Sequence, residues 1–113
     1  MTEADFRALC LAFPEVEEGF NLGSAVFKTN GKVLARLLAA DQAPLTGIGP
    51  DESDHLIEAE PAVFHATQHL RDARYLGVHL AHAAPETLRP LLDRRFRDLA
   101  RKSVLKAWNG AAP

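Results

Sequence analysis

The sequence predicts a single domain over residues 1–113 of the α+β class, with two layers: an antiparallel sheet of about five strands carries helices on one face. The expected order of elements is α-β-β-β-α-β-β-α. Three observations lead to this prediction. They are an Asn-Gly pair between two apolar runs, short apolar stretches bounded by turn residues, and an amphipathic helical pattern near each end.

The strongest local signal is the pair Asn30–Gly31, which predicts a two-residue hairpin turn. A type I′ turn needs positive φ at both central residues, which Asn tolerates and Gly adopts without steric cost. We therefore expect strands over about residues 24–29 and 32–39. The expected register pairs Thr29 with Lys32, Phe27 with Leu34, and Ala25 with Arg36.

The first segment has the pattern of an amphipathic helix. Thr2 is expected to cap it together with Asp5, as a short capping box. Its apolar side is formed by Phe6, Leu9, Cys10 and Phe13. Pro14 ends the helix, and residues 15–23, which hold three carboxylates and two glycines, are expected to form a loop.

The middle of the chain alternates short strands with turns. Residues 44–49 are expected to form a third strand, and Asp51 to cap a second helix that runs to about Glu60. Further strands are expected over residues 63–67 and 75–80, with a turn at residues 71–73 between them.

The last helix is expected to begin at Pro85, where a missing N–H costs nothing. Pro90 is expected to loosen or kink its first turns. The core stripe of this helix comprises Leu88, Leu92, Phe96 and Leu99. Its outer side carries Arg89, Asp93, Arg97 and Arg101.

The composition is that of a soluble globular protein, with 47% hydrophobic and 25% charged residues. A single cysteine, Cys10, excludes an internal disulfide and suits a reducing compartment. The acidic first residues do not resemble the start of a signal peptide, and no apolar run approaches the length of a membrane span. We therefore expect a cytoplasmic protein without a membrane partner.

Charge is divided unevenly along the chain. Residues 1–60 hold 4 Lys/Arg against 11 Asp/Glu, and residues 61–113 hold 9 against 4. Such a split predicts either a solvated, Arg-rich helix side, a basic face for an anion or nucleic acid, or complementary halves in a dimer. The candidate phosphate-contacting residues are Lys28, Lys32, Arg36, Arg71, Arg74, Arg101 and Lys102.

Both faces of the predicted hairpin carry apolar side chains. Strict alternation places Val26, Val33, Ala35 and Leu37 on one face, and Phe27, Leu34 and Arg36 on the other. Because helices cover only one face of a two-layer fold, we expect the face with Phe27 and Leu34 to bind a second copy of the chain, a ligand or the 14–23 loop.

Known patterns for catalysis or metal binding are weak. The five histidines are not joined by converging carboxylates or thiolates, so we expect no metal site. The segments 19–24 and 47–49 lack the features of a phosphate loop, and Asp51-Glu52 follows the second of them. No nucleophile motif is present, and Glu15, Glu17 and Glu18 lie in an expected loop. The sequence predicts a non-enzymatic protein without a cofactor.

Four segments together resemble the MmcQ/YjbR family. The hairpin reads FKTNGKVLARL over residues 27–37, and the entry segment reads LAFPEVEE over residues 11–18. Residues 70–80 are similar to the last strand of the family, and residues 99–105 to its A-P-K-x-L ending. The resemblance implies a compact two-layer α+β domain akin to secretion-chaperone-like folds, and DNA binding by a double-wing arrangement. A homodimeric interaction or ligand-binding module is the alternative.

Overall fold

The computed structural model describes residues 1–38 and 41–111, and the side chains of all of these except residues 109–111. The helices are α1 (Glu3–Leu11), α2 (Pro50–Ala59), α3 (Gln68–Asp72), α4 (Pro85–Leu99) and α5 (Lys102–Ala111). The strands are β1 (Glu17–Asn21), β2 (Ser24–Thr29), β3 (Lys32–Leu37), β4 (Leu45–Thr46), β5 (Phe64–His65) and β6 (Tyr75–Val78).

The strands form one antiparallel sheet in the order β1-β2-β3-β4-β6-β5. Helices α1 and α4 contact each other and strand β3, and their apolar sides meet the sheet in one continuous core. The predicted two-layer α+β class is therefore confirmed, with six strands in the described part of the chain. No helix in that part is long and apolar enough to cross a membrane.

The Asn30–Gly31 turn forms as predicted, with φ of 53° and 74°. Thr29 pairs with Lys32, as expected, but the register shifts by one residue between Phe27 and Lys28. Beyond this irregularity Phe27 pairs with Ala35 and Ala25 with Leu37. The expected pairs of Phe27 with Leu34 and of Ala25 with Arg36 are wrong, because a β-bulge adds one residue to one strand and strict alternation cannot foresee it.

The bulge also changes which side chains are buried together. Leu34 and Ala35 are consecutive residues, yet both lie in the core, and Phe27 is fully buried there with its ring 5.9 Å from that of Phe6. The prediction that Phe27 and Leu34 form an exposed interaction face is therefore wrong. Helix α1 covers this face of the hairpin.

Several boundaries differ from those predicted. Residues 17–21 form the edge strand β1 instead of a loop, because an edge strand exposed on both faces lacks apolar alternation. The first two residues of the expected turn at residues 71–73 belong to the short helix α3, which ends at Asp72. Helix α2 begins at Pro50 after Gly49, so Asp51 lies in its first turn and does not cap it. The strands β4 and β5 have two residues each, and the expected end of the second hairpin strand at residue 39 lies outside the described residues.

The outer helices follow the sequence pattern more closely. The capping box of α1 is present, with the Asp5 N–H donating to Thr2 Oγ1 at 3.1 Å and the Thr2 N–H to Asp5 Oδ2 at 2.9 Å. Helix α4 begins at Pro85 and continues through Pro90 to Leu99. The four residues of its predicted core stripe are all buried.

The burial of Phe27 gives a direct test of the corrected register. Phe27→Ala removes a fully buried ring and is expected to lower the free energy of unfolding by about 3–5 kcal/mol. The control is Leu11→Ala in α1, where the residue is 44% exposed and the expected loss is about 1 kcal/mol or less. Urea unfolding of both variants provides the measurement, and equal losses would contradict this assignment of the core.

Candidate functional site

The strand directions bring most of the predicted basic residues to one end of the sheet. This end, called the basic end here, is where β2 stops, β3 starts, β4 stops and β6 starts. The basic residues found there are Lys28, Lys32, Arg71, Arg74, Arg101 and Lys102. The sequence analysis named these six residues, from separate segments, as candidate phosphate contacts. The antiparallel order of the strands brings them to the same end of the sheet.

Asn30 connects the hairpin turn to the helical layer at the basic end. Its Nδ2 donates a hydrogen bond to the Leu99 carbonyl at 3.2 Å, at the end of α4. Its Oδ1 accepts one from Arg101 Nε at 3.1 Å. Arg101 and Lys102 are thereby held beside the hairpin.

Arg36 is not part of this group. It lies within β3 opposite Val26, on the sheet face away from the core. Its Nε donates to the Tyr75 hydroxyl at 3.1 Å and its Nη1 to Ser24 Oγ at 3.2 Å. This side chain links neighbouring parts of the sheet, because its Nε and Nη1 groups donate to partners within the protein.

A cleft of about 730 Å³ opens at the basic end, between the loop that joins β4 to α2 and the segment that joins α3 to β6. Three arginines from different elements line it, namely Arg71, Arg74 and Arg95. Apolar side chains, Ile48 and Leu76 among them, line the same cleft. Among the described residues that line it, none is acidic.

Arg95 reaches the cleft from α4. Its Nε and Nη2 donate to the Val33 carbonyl at 3.4 Å and 3.3 Å, and the residue is half-buried. Within the described part of the chain it forms no ion pair. The site thus contains the guanidinium of a half-buried arginine that forms no ion pair with a carboxylate of the described residues.

The backbone at Gly47 makes room for this arginine. Gly47 has φ of 81°, and a Cβ placed on it would lie 2.7 Å from Arg95 Cδ. Any larger residue would therefore combine an unfavourable backbone conformation with a collision against the arginine stem. The path of the loop at Gly47 and the position of the Arg95 side chain are therefore possible only together.

The other two arginines differ in their partners. Arg71 Nη2 forms an exposed ion pair with Asp54 Oδ1 of α2 at 3.1 Å. Arg74 has a positive φ of 62°, and its carbonyl accepts a hydrogen bond from Thr46 Oγ1 at 3.1 Å. The Arg74 side chain is exposed and has no hydrogen-bond or ion-pair partner in the described part of the protein.

Glu52 does not enter the cleft, although its sequence position argued against an anion beside Gly47–Gly49. Its carboxylate accepts two hydrogen bonds from Arg94, at 2.6 Å from Nη2 and 3.0 Å from Nη1. These bonds hold the pKa of the Glu52 carboxyl below its usual range. The negative charge is therefore paired with α4, outside the residues that line the cleft.

Two of the five histidines form a stacked pair. The rings of His65 and His79 lie 4.1 Å apart at 22°, and the His65 ring leaves no space for a side chain at Gly77. Burial, and then the neighbouring His79, lowers the pKa of His65. No group of three or more potential metal ligands occurs among the described residues. His69 lies apart in α3.

Cys10 lies in the core on α1, as its place in the apolar pattern predicted. Burial, and then the charge of Glu18, raises the pKa of its thiol to about 12. A thiol with this pKa stays protonated at neutral pH and is a poor nucleophile.

Sequence reasoning missed Arg95, the least exposed arginine of the cleft. The signal was present, because Arg95 follows Leu92 by three residues and precedes Leu99 by four, which places it on the core stripe of α4. An arginine in such a position must send its charged group to the edge of the core. The cleft is at that edge.

The chain matches no known protein-family profile and no curated protein. Among solved structures it is similar to protein DR2400 of Deinococcus radiodurans, which carries a domain described as DUF419. The superposition has a TM-score of 0.72 at 23% sequence identity, and it covers 90% of this chain and 80% of that chain. At this identity the likeness shows a shared fold, and membership of the MmcQ/YjbR family stays a prediction.

Proposed function

We propose that this protein is a non-enzymatic binding module that takes a small anionic ligand in the cleft lined by Arg71, Arg74 and Arg95. The observation that carries the proposal is the half-buried Arg95, which forms no ion pair with the described residues. A charge that is partly removed from water is costly unless an opposite charge compensates it. A bound anion supplies that charge.

The chemistry of the lining supports an anion over other ligands. Three guanidiniums and no described carboxylate surround the cleft, so a cationic ligand or a metal ion has no acidic partner there. The planar fork of arginine binds carboxylates and phosphates through two parallel hydrogen bonds. A volume of about 730 Å³ lies within the range of small-molecule sites.

The same lining supports binding without catalysis. Among the described residues around the cleft there is no histidine, cysteine or carboxylate. The hydroxyls of Thr46, Ser53 and Tyr75 line the cleft, and the described lining holds no imidazole or carboxylate that could take a proton from them. The proposed role is therefore recognition of the anion, with no chemical step and no cofactor.

Calorimetric titration with inorganic pyrophosphate tests this proposal. We expect binding by the wild-type protein, and a loss of affinity of about ten- to a hundredfold in Arg95→Ala, because hydrogen bonds to charged groups contribute that much. Gly47→Ala is expected to weaken binding as well, since it displaces Arg95 without removing a charge.

Arg89→Ala is the matched control for this titration, because Arg89 is an exposed arginine of the same helix outside the cleft. It removes the same charge and is expected to leave the affinity unchanged. An equal loss of affinity in Arg89→Ala and Arg95→Ala would mean that only the net charge of the protein matters, and this result would contradict the proposed site.

A second candidate function is contact with the phosphate backbone of DNA. The observation that favours it is the grouping of Lys28, Lys32, Arg101 and Lys102 beside the cleft at the basic end. Such residues contact phosphates in DNA-binding proteins and position the protein on the duplex. The net charge of −2 and the sequence pI of about 6.2 weigh against this function.

An anisotropy titration with random duplex DNA at several salt concentrations tests the second candidate. If four phosphates are contacted, affinity is expected to fall about 150-fold between 50 and 200 mM salt. Lys32→Ala and Lys102→Ala should each flatten the slope of log K against log salt by about one. Arg89→Ala, near the opposite end of α4, serves as control. No binding at tens of micromolar protein and 50 mM salt would remove non-specific DNA affinity and leave the small-anion function.

A further inference from the structure

The two edges of the sheet differ in what they leave unpaired. Strand β5 forms one edge and has only two residues, a common way to blunt an edge. Strand β1 forms the other edge with five residues, all exposed. An edge strand of this length presents a row of free N–H and C=O groups that can pair with another strand.

The turn that follows β1 contains an unusual residue. Leu22 has φ of 54° and its side chain is 87% exposed. A left-handed conformation costs a residue such as leucine roughly 1 kcal/mol or more, and an exposed side chain returns nothing by burial. The equivalent position in the β2–β3 hairpin is Asn30, with φ of 53°, a residue that suits this conformation. The stability of a single copy of the chain therefore gives no reason for a leucine at position 22.

A second apolar side chain lies close by in the sequence. Phe20, in β1, is 78% exposed. It lines a shallow groove on the helix side of the sheet together with Ala25, Leu37 and Leu38. The charged residues Glu3, Arg7 and Glu18 line the same groove. Phe20 and Leu22 are thus two exposed apolar side chains next to an unpaired strand edge, and exposed apolar groups of this kind are a common feature of protein–protein contacts.

We propose that β1 pairs antiparallel with β1 of a second copy of this chain, about a two-fold axis at Gly19. The sheet then continues through both copies, and the contact is isologous. This inference goes beyond the proposed ligand site and does not depend on it. The pairs that follow within β1 are Glu18 with Phe20 and Glu17 with Asn21 of the second copy. The turn at Leu22 then lies just beyond the last pair, next to the residues that precede β1 in the second copy.

The charges of β1 are compatible with this register. No carboxylate lies directly opposite another carboxylate across the axis, because Glu17 and Glu18 face Asn21 and Phe20 of the second copy. Within each chain Glu18 forms an ion pair with Arg7 at 3.0 Å, and Glu17 lies opposite Lys28 in β2. The same carboxylates disfavour a membrane of anionic lipids or a nucleic acid as the occupant of this edge.

Gly19 makes the proposed contact testable by a disulfide. In the proposed register the two copies of Gly19 are directly opposite, at a separation that a disulfide between Gly19→Cys variants can bridge. The added Cβ would lie 3.8 Å from Val26 Cγ1, an ordinary contact, so the variant is expected to fold. The native Cys10 is buried and its thiol pKa is raised to about 12, so it does not compete.

Under mild oxidation we expect Gly19→Cys to form a disulfide-linked dimer on a non-reducing gel. The control is Ser103→Cys, on an exposed position of α5, which is expected to stay monomeric. Sedimentation of the wild-type protein is expected to show a dimer at micromolar concentration. Gly19→Lys should abolish it, because two ammonium groups would meet at the axis, and its circular dichroism should be unchanged.

The variant Leu22→Asn distinguishes an effect on the dimer interface from an effect on the stability of the fold. Asparagine suits the left-handed turn, so the variant should be at least as stable as the wild type in urea. Its dimer should dissociate at concentrations at least severalfold higher. A wild-type protein that sediments as a monomer at hundreds of micromolar, or a Gly19→Cys variant that cross-links no faster than Ser103→Cys, would overturn the proposal.

Discussion

The contact between Asn30 and the end of α4 is the interaction on which the site depends most. Asn30 adopts the positive φ of the hairpin turn, and its side chain also donates to the Leu99 carbonyl and accepts from Arg101. One residue thereby fixes the hairpin tip against the helical layer. With the end of α4 held there, Arg95 of the same helix donates to the carbonyl of Val33, the second residue of strand β3.

The cleft follows from this arrangement together with the glycine at residue 47. The loop from β4 approaches the arginine stem so closely that no side chain fits between them. The result is a guanidinium that is held by a backbone carbonyl and is partly shielded from water, with Arg71 and Arg74 lining the same cleft. A half-buried charge without an opposite charge does not stabilise the isolated protein. Binding of an anionic ligand is a physical reason for an arginine at this position.

Local patterns predicted those parts of the fold that local chemistry decides. The Asn30–Gly31 turn, the capping box at Thr2 and the apolar stripe of α4 each depend on residues close in sequence. The bulge beyond Phe27 depends on how β3 packs, and an exposed edge strand such as β1 has no periodic signal. The cleft was missed for the same reason, because its arginines come from separate elements that only the strand order brings together.

The central claim is that an anion binds at the arginine cleft, and amide chemical-shift mapping tests it most directly. Titration of inorganic pyrophosphate into the ¹⁵N-labelled protein is predicted to shift the amides of residues 47–49, 51–53 and 74–76 first, because these segments line or adjoin the cleft. The Arg95→Ala variant should lose these shifts and keep the rest of its spectrum. Shifts centred on Lys32 and Lys102, with residues 47–53 unaffected, would contradict the claim.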